Sequence, residues 1–300
     1  MHHQSNILLT QFGYAPVVEI DLKALSLKEI QRLSSLGWVD SQPDMNGVRA
    51  FHSLDEDLIS FPSEKYEVDL NSSESEGIWS EVRSSRIASI LKKRRIDLIW
   101  EIGAGHGNMA IPLAEAGITT IPIEPLYSGA KILSSKGFHA YAQTLDQLHL
   151  PDASLEAVGI FDVLEHLANP DVVLREIHRV LKPGGLLLTS VPAYQWLFSN
   201  FDTQIGHFRR YSRKSLLTLL IDSNFQNNRL TNLFFIFLAP AFILRRLPYL
   251  VGIRGKQKKA IPTSENFLIK LLTPMLRKIL NLEAKMQIPL GLSIISESTK

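Results

Sequence analysis

The feature that most narrows the fold of this chain is a short apolar run, Asp97 to Ile102, that breaks into Gly103-Ala104-Gly105-His106-Gly107 and then into a helical pattern stopping at Gly117. Glycines let the backbone turn sharply where a strand becomes a helix, and they let a ligand approach the main chain. The helix behind the turn offers unbonded N–H groups at its start. The chain keeps alternating from about residue 78 onward. Helices are expected at Ile78–Lys93, Gly107–Ala116, Ser128–Ser135, Pro170–Leu181 and Ser212–Ser223. Strands are expected at Asp97–Ile102, Thr119–Ile123, His139–Ala142, Ala157–Phe161, Leu186–Ser190 and Arg229–Phe235. The fourth helix has clear punctuation, with Asn169 in position to cap it, Pro170 at its first position and Pro183-Gly184-Gly185 to stop it. Strands and helices of these lengths in alternation give an α/β fold, a parallel sheet covered on both faces.

The glycine spacing separates two kinds of nucleotide ligand. A nicotinamide fingerprint places its third glycine one position later, where this chain has Asn108. Glu101 precedes the turn, and a carboxylate there would repel a pyrophosphate; it suits a cationic ligand, such as an amino acid carrying a sulfonium and a free ammonium. Glu124 ends the second strand 21 residues after Gly103 (124 − 103). An acid at that strand end can accept hydrogen bonds from both ribose hydroxyls.

Read in order, Glu101 to Gly107, then Ile123-Glu124-Pro125, then Phe161-Asp162-Val163-Leu164-Glu165-His166, then Leu181-Lys182-Pro183-Gly184-Gly185 resemble the successive motifs of class I S-adenosylmethionine-dependent methyltransferases. The resemblance covers roughly residues 78–235. Val191-Pro192-Ala193-Tyr194-Gln195-Trp196-Leu197-Phe198-Ser199, Asp202 and Gly206-His207-Phe208-Arg209-Arg210-Tyr211 are similar to a bacterial group of such enzymes. So is Ile288-Pro289-Leu290-Gly291-Leu292-Ser293, which would form a last, antiparallel strand. The resemblance implies a Rossmann-like doubly wound sheet, mostly parallel, with a helical insertion at about 236–287. It implies S-adenosyl-L-methionine as cofactor, with Glu101, Gly103, Gly105 and Gly107 along its methionine part and Glu124 on its ribose. Thr144 and Leu145 would flank the adenine, and Phe161 and Asp162 would close the site. Many relatives carry an acid where this chain has Thr144, with Asp146 two places on.

Methyl transfer from a sulfonium is an in-line displacement, so positioning the nucleophile supplies much of the catalysis, and a base is needed only if the nucleophile must lose a proton. His166, on the rim after the fourth strand, and His207 are the candidate catalytic residues. Glu165 reads as a supporting acid. Arg209, Arg210 and Tyr211 are candidate substrate contacts, because arginines there could clamp a phosphate or carboxylate; the competing reading is a salt-bridge network that anchors the loop. No metal site is expected: Asp162-x-x-Glu165-His166 resembles ligand spacing only superficially. The acceptor is expected to be a small molecule, a glycan or a lipid-linked compound. A non-catalytic cofactor-binding or interaction protein on the same fold stays open as the alternative.

Composition settles less. The 300 residues contain no cysteine, which excludes disulfides, thiolate metal sites and cysteine nucleophiles and fits a cytoplasmic protein. Ile7 to Leu9 is too short for a secretory signal, and no basic stretch precedes it. Residues 1–77 read as a small attachment of unknown role, with an amphipathic helix at Asp21–Leu36, and residues 78–300 as the catalytic domain. Charge is uneven: residues 1–80 hold 13 acids and 5 bases, residues 245–300 hold 11 bases and 3 acids. Next to the basic end lies the apolar run Leu233–Leu244, far short of the ~20 residues of a spanning helix. With Arg245, Arg246, Lys256, Lys258 and Lys259 it reads either as a cap over the site or as a peripheral contact with the inner, anionic face of a membrane. No RNA-binding module accompanies the basic stretch. Oligomeric state is not legible.

Overall fold

A computed structural model describes residues 22–49 and 77–250 and most of 275–300. Six strands form one sheet: β1 Leu98–Ile102, β2 Thr119–Ile123, β3 Leu155–Phe161, β4 Leu181–Pro192, β5 Gln226–Leu233 and β6 Ser293–Thr299, in the order β2-β1-β3-β4-β6-β5. The neighbours among β1 to β4 pair in parallel, and β6 runs antiparallel between β4 and β5. The helices are α1 Leu22–Ser35, α2 Gly77–Lys93, α3 Ala110–Glu115, α4 Tyr127–Ser135, α5 Pro170–Val180, α6 Asn200–Gln204 and α7 Arg213–Asp222. A further helical stretch, α8, runs from Leu238 to Leu250 with a π-helical turn at Phe242–Arg246.

Alternate residues of each strand feed two cores, as the two-residue period of a strand requires. Trp100, Ile102, Val158, Ile160, Leu187 and Ile294 face one core, closed by Leu174, Ile177 and Val180 of α5 and Leu216 and Leu220 of α7. Ile99, Ala157, Phe161, Leu186, Leu188 and Ile295 face the other, closed by Val82, Ile87 and Leu91 of α2. Strands buried on both faces explain the nearly continuous apolar runs of β1 and β2. Every ligand-facing loop of the parallel strands therefore opens at the same, C-terminal edge of the sheet.

The expected elements are present, with differences. Strand β4 starts at Leu181 rather than Leu186, so Pro183-Gly184-Gly185 lies within it instead of ending α5, and β5 runs Gln226–Leu233 rather than Arg229–Phe235, because Phe234 at φ 69° leaves the strand. The run His139–Ala142 is not a strand but a single-residue bridge, Tyr141 pairing in parallel with Ile123 on one side and Arg49 on the other. Tyr141 N–H donates to Pro122 O and Tyr141 O accepts from Glu124 N–H, and the pairing with β2 goes no further along this run. Helix α3 starts at Ala110, because Gly107 at φ 93° still belongs to the turn. Asn169 makes no side-chain cap on α5. The last strand begins at Ser293, later than its motif: a Cβ on Gly291 would lie 2.2 Å from Leu233 O, so this segment crosses closely over the end of β5 before pairing begins.

Residues 22–49 lie on the β2 side of the sheet. Ile30, Leu33 and Trp38 enter the first core. Trp38 Nε1 donates to Leu148 O at 2.7 Å, Tyr141 Oη donates to Asp40 Oδ1 at 2.8 Å, and the Arg49 backbone bonds to Ala140 and Ala142. Of the C-terminal insertion, Leu238–Leu250 and the described residues of 275–286 are helical. Lys256, Lys258 and Lys259 lie outside the described residues.

Candidate active site

The glycine turn sits where β1 and β2 end side by side. Gly103, Gly105 and Gly107 all have positive φ (68°, 56° and 93°). The N–H groups of Gly103 and Ala104 donate to Ile123 O, which ties the turn to the tip of β2. A Cβ on Gly103 would come within 2.5 Å of Val163 Cγ2, so the turn leaves no room for a side chain. Glu124, at that tip, accepts hydrogen bonds from the N–H groups of Gly105 (2.7 Å) and Leu126 (2.9 Å). A carboxylate has about four lone-pair sites and accepts from several donors at once. Glu101 is 2% exposed and its Oε2 has no hydrogen-bond partner. Burial, and then the neighbouring Glu124 carboxylate, push its pKa up to about 8, against the pull of Arg83. A buried carboxyl with an idle oxygen beside a turn stripped of side chains fits a ligand that brings its own positive charge.

Asp162 closes this half. It follows β3 in a left-handed conformation at φ 53°, accepts a bond from Ser190 Oγ at 3.0 Å, and forms an ion pair with Arg83 of α2. Phe161 is buried in the second core. Thr144 and Leu145 lie beyond the Tyr141 bridge: the Thr144 N–H donates to Gln147 Oε1 at 2.9 Å, and Leu145 is buried. A surface cavity of about 480 Å³ opens next to them, lined by Gly37, Trp38, Val39, Gln143, Gln147, Leu148 and His149. None of the glycine-turn residues lines it.

The second half gathers residues from two distant segments. After β3 a 3₁₀ turn, Leu164–His166, presents Glu165 and His166. The segment 207–211 is stitched against it. Phe208 N–H donates to Glu165 O (2.8 Å), Tyr211 Oη donates to Leu164 O (3.1 Å), and Arg209 Nη2 donates to Ala168 O (2.9 Å). His166 and His207 therefore meet edge to face, with ring centroids 4.5 Å apart. Burial, and then proximity to His207, lower the His166 pKa to about 4, while a hydrogen bond with the Gly206 backbone pulls the other way. Burial pushes Glu165 up to about 8.

His207 Nδ1 lies 3.1 Å from Asp202 Oδ1, which also accepts from Arg210 Nε at 2.7 Å. Burial opposes ionisation of Asp202, but its bonds with His207, Arg210 and Ser199 outweigh burial and hold it below the usual carboxylate range. Arg210 and Tyr211 thus give their polar groups to the protein interior, the anchoring arrangement that sequence left open. Arg209 is the most outward of the three and also bonds the chain. Two participants escaped the sequence reading: Arg83, which carries no motif, and Asp202 as the partner of His207, since a five-residue spacing across a loop signals nothing by itself.

Residues 83–230 match the family model described as a methyltransferase domain. A "Probable S-adenosylmethionine-dependent methyltransferase" of Mycobacterium tuberculosis is 39% identical over 92 residues, which are 30% of this chain and 34% of that protein. A ubiquinone/menaquinone biosynthesis C-methyltransferase of Rubrivivax gelatinosus is 35% identical over 106 residues, 33% of this chain and 41% of that one. A ubiquinone biosynthesis O-methyltransferase of Caulobacter vibrioides is 31% identical over 102 residues, 31% and 39%. The chain thus spans about a third to a half of the length of the curated relatives it matches. In fold it is similar to a solved SAM-dependent methyltransferase from Thermotoga maritima, with TM-score 0.51 at 18% identity over 79% of this chain and 95% of that one.

Proposed function

We propose that this protein transfers the methyl group of S-adenosyl-L-methionine to an acceptor presented at the Glu165–His166–His207 rim. The observation that carries the reading is Glu101: a buried carboxyl with an unpartnered oxygen, beside a glycine turn and Glu124. Glu101 would meet the ammonium of the methionine part. Gly103, Gly105 and Gly107 would let it approach the backbone, and Glu124 would hold the ribose hydroxyls. When bound, the cofactor supplies a methyl carbon with a good leaving group. The protein then has to orient the acceptor and exclude water. His166 and His207 hold the reacting group of the acceptor, and Arg209 is the arginine placed to meet an anionic part of it. The acceptor is a small-molecule, glycan or lipid-linked compound, and the 191–211 motif supports a place in the bacterial group that shares it.

Calorimetry tests this directly. Binding of S-adenosylmethionine or S-adenosylhomocysteine is expected, and Glu124→Ala should weaken it. His207→Ala should lower transfer of labelled methyl groups into a lysate fraction more than it lowers cofactor affinity. Tight binding of NAD with no binding of either sulfur compound would sink the assignment.

The surface of α8 favours a lipid-linked acceptor. Ile243, Leu244, Leu247 and Leu250 are exposed, next to Arg246, whose guanidinium bonds Phe198 O at the site's edge. Residues 245–285 hold 10 bases and 2 acids. No helix among the described residues is long and apolar enough to cross a membrane. Reversible docking on an anionic surface needs no crossing, because each cation contributes about 1 kcal/mol near such a leaflet. Co-sedimentation with anionic but not neutral vesicles, weakened by salt, is the expected result. No vesicle binding would leave the charges to pair within the protein.

A further inference from the structure

We propose that Glu165, His166 and His207 form a binding site for a divalent transition-metal ion. One ligand atom from each lies within 4.8 Å of the others. Glu165 is fully buried, its carboxyl has no hydrogen-bond partner on any other residue, only its own backbone N–H, and His207 Nε2 lies 3.8 Å from Oε1. A carboxyl sealed from water with no more than that is costly, and a protein keeps one where something else completes it. Arg83 and Arg210 act on it only through space.

The cluster is also built. The two segments that supply it are sewn together by the Phe208–Glu165 backbone bond and the Tyr211–Leu164 bond, which fix the rings and the carboxyl around one point. Asp202 Oδ1 lies 3.1 Å from His207 Nδ1, a contact that suits a carboxylate oxygen accepting from the ring N–H. In that tautomer the Nε2 lone pair is left toward Glu165. A carboxylate that orients a histidine through its far nitrogen is the usual support of an imidazole ligand. Two imidazoles and one carboxylate suit zinc, manganese, iron or cobalt rather than calcium or magnesium, and three protein ligands leave positions open. Donors about 2.0–2.2 Å from one ion must stand about 3–3.5 Å apart, so the three side chains would close inward by side-chain rotation. The sequence spacing concealed the site because its third ligand lies on another segment. An ion here would hold the acceptor through its open coordination positions. That role rests on the methyltransferase reading; the binding itself does not.

The test uses the full chain, stripped with a chelator. Titration with Mn²⁺, followed by the paramagnetic resonance of the free aquo ion, is expected to show one bound equivalent per chain. Titration with Co²⁺ should give visible bands characteristic of nitrogen and oxygen ligands. His207→Ala and, separately, His166→Ala should lower Mn²⁺ affinity at least about 10-fold and change the Co²⁺ spectrum; circular dichroism selects the variants that fold. No stoichiometric binding by the wild type, or undiminished binding in both variants, overturns the proposal; the second result would place any bound ion elsewhere, for example at His2 and His3. Cofactor calorimetry on the same samples separates the two readings. Metal binding without cofactor binding supports the site and sinks the methyltransferase reading, and cofactor binding without metal binding does the reverse.

Discussion

The two halves of the cleft are encoded differently. The cofactor half is made of backbone: three glycines with positive φ, the N–H groups of Gly105 and Leu126, and two glutamates at adjacent strand ends. The half proposed to meet the acceptor is made of side chains from segments far apart in sequence, Glu165 and His166 on one and Asp202 and His207 on the other. Local backbone features recur wherever the same turn is needed. A side-chain cluster depends on which two segments the rest of the fold brings together. The halves should therefore fail differently: the first through sterics and charge at the cofactor, the second through loosening of a bond network.

Gly103→Ala should have the largest effect. Its new Cβ would meet Val163 at 2.5 Å, and an L-residue at φ 68° is strained in any case. A cost of about 3 kcal/mol corresponds to roughly a 100-fold loss of cofactor affinity if the fold survives. Retained affinity would show that the turn is not the cofactor's cradle.

Glu101→Gln should weaken the cofactor about 30- to 100-fold while raising thermal stability at pH 8. The sign follows from a folded-state pKa of about 8 against an ordinary 4.5. The ligand-free folded protein holds a proton that the unfolded chain has lost, so stability falls as pH rises from about 4.5 through about 8. Glutamine removes that fall. A cationic ligand has the opposite preference. Wild-type affinity should rise with pH up to about 8, with proton release visible as a buffer-dependent binding enthalpy, and the variant should lose both. A flat profile in the wild type would mean that Glu101 is not opposite the ligand's charge.

Asp202→Asn probes the other half. It weakens the bonds that Asp202 shares with Arg210, His207 and Ser199, at a cost of about 1.5 kcal/mol in unfolding free energy. Turnover should fall, and cofactor affinity should stay within about twofold. A proportional loss of cofactor binding would show that the halves are not separable.

The same contrast explains what could be read from sequence. The sheet, the glycine turn, Glu101 and Glu124 were legible, because strand-to-helix punctuation and a 21-residue spacing are local signals. The run at 139–142 was misread as a strand because its apolar composition matched one; hydrogen-bond geometry allowed only the Tyr141 bridge. Arg83 was invisible, since nothing in an amphipathic helix says that one arginine crosses to the tip of β3. Arg210 and Tyr211 were noticed as a cluster, but only packing shows that their polar groups turn inward.

Ser190→Ala should have the smallest effect and tests the seam between the halves. Ser190 ends the buried part of β4 and donates to Asp162 Oδ1 at 3.0 Å, while Arg83 holds the other oxygen. Asp162 lies between the glycine turn, through Val163, and the Glu165 turn that follows it. Loss of one hydrogen bond to a carboxylate that keeps its arginine should cost about 1 kcal/mol or less in stability. The backbone bond from Asp162 N–H to Ser190 O survives the change, so the loop should keep its path. If Asp162 serves the cofactor half, the cofactor dissociation constant should rise a few-fold with the acceptor KM unchanged. If it serves the acceptor half, the pattern reverses. The first outcome is expected, because Asp162 stands directly before Val163, which packs on the Gly103 turn, and its ion pair ties it to Arg83 of α2. A change confined to the acceptor KM would move the boundary between the halves to the other side of Asp162.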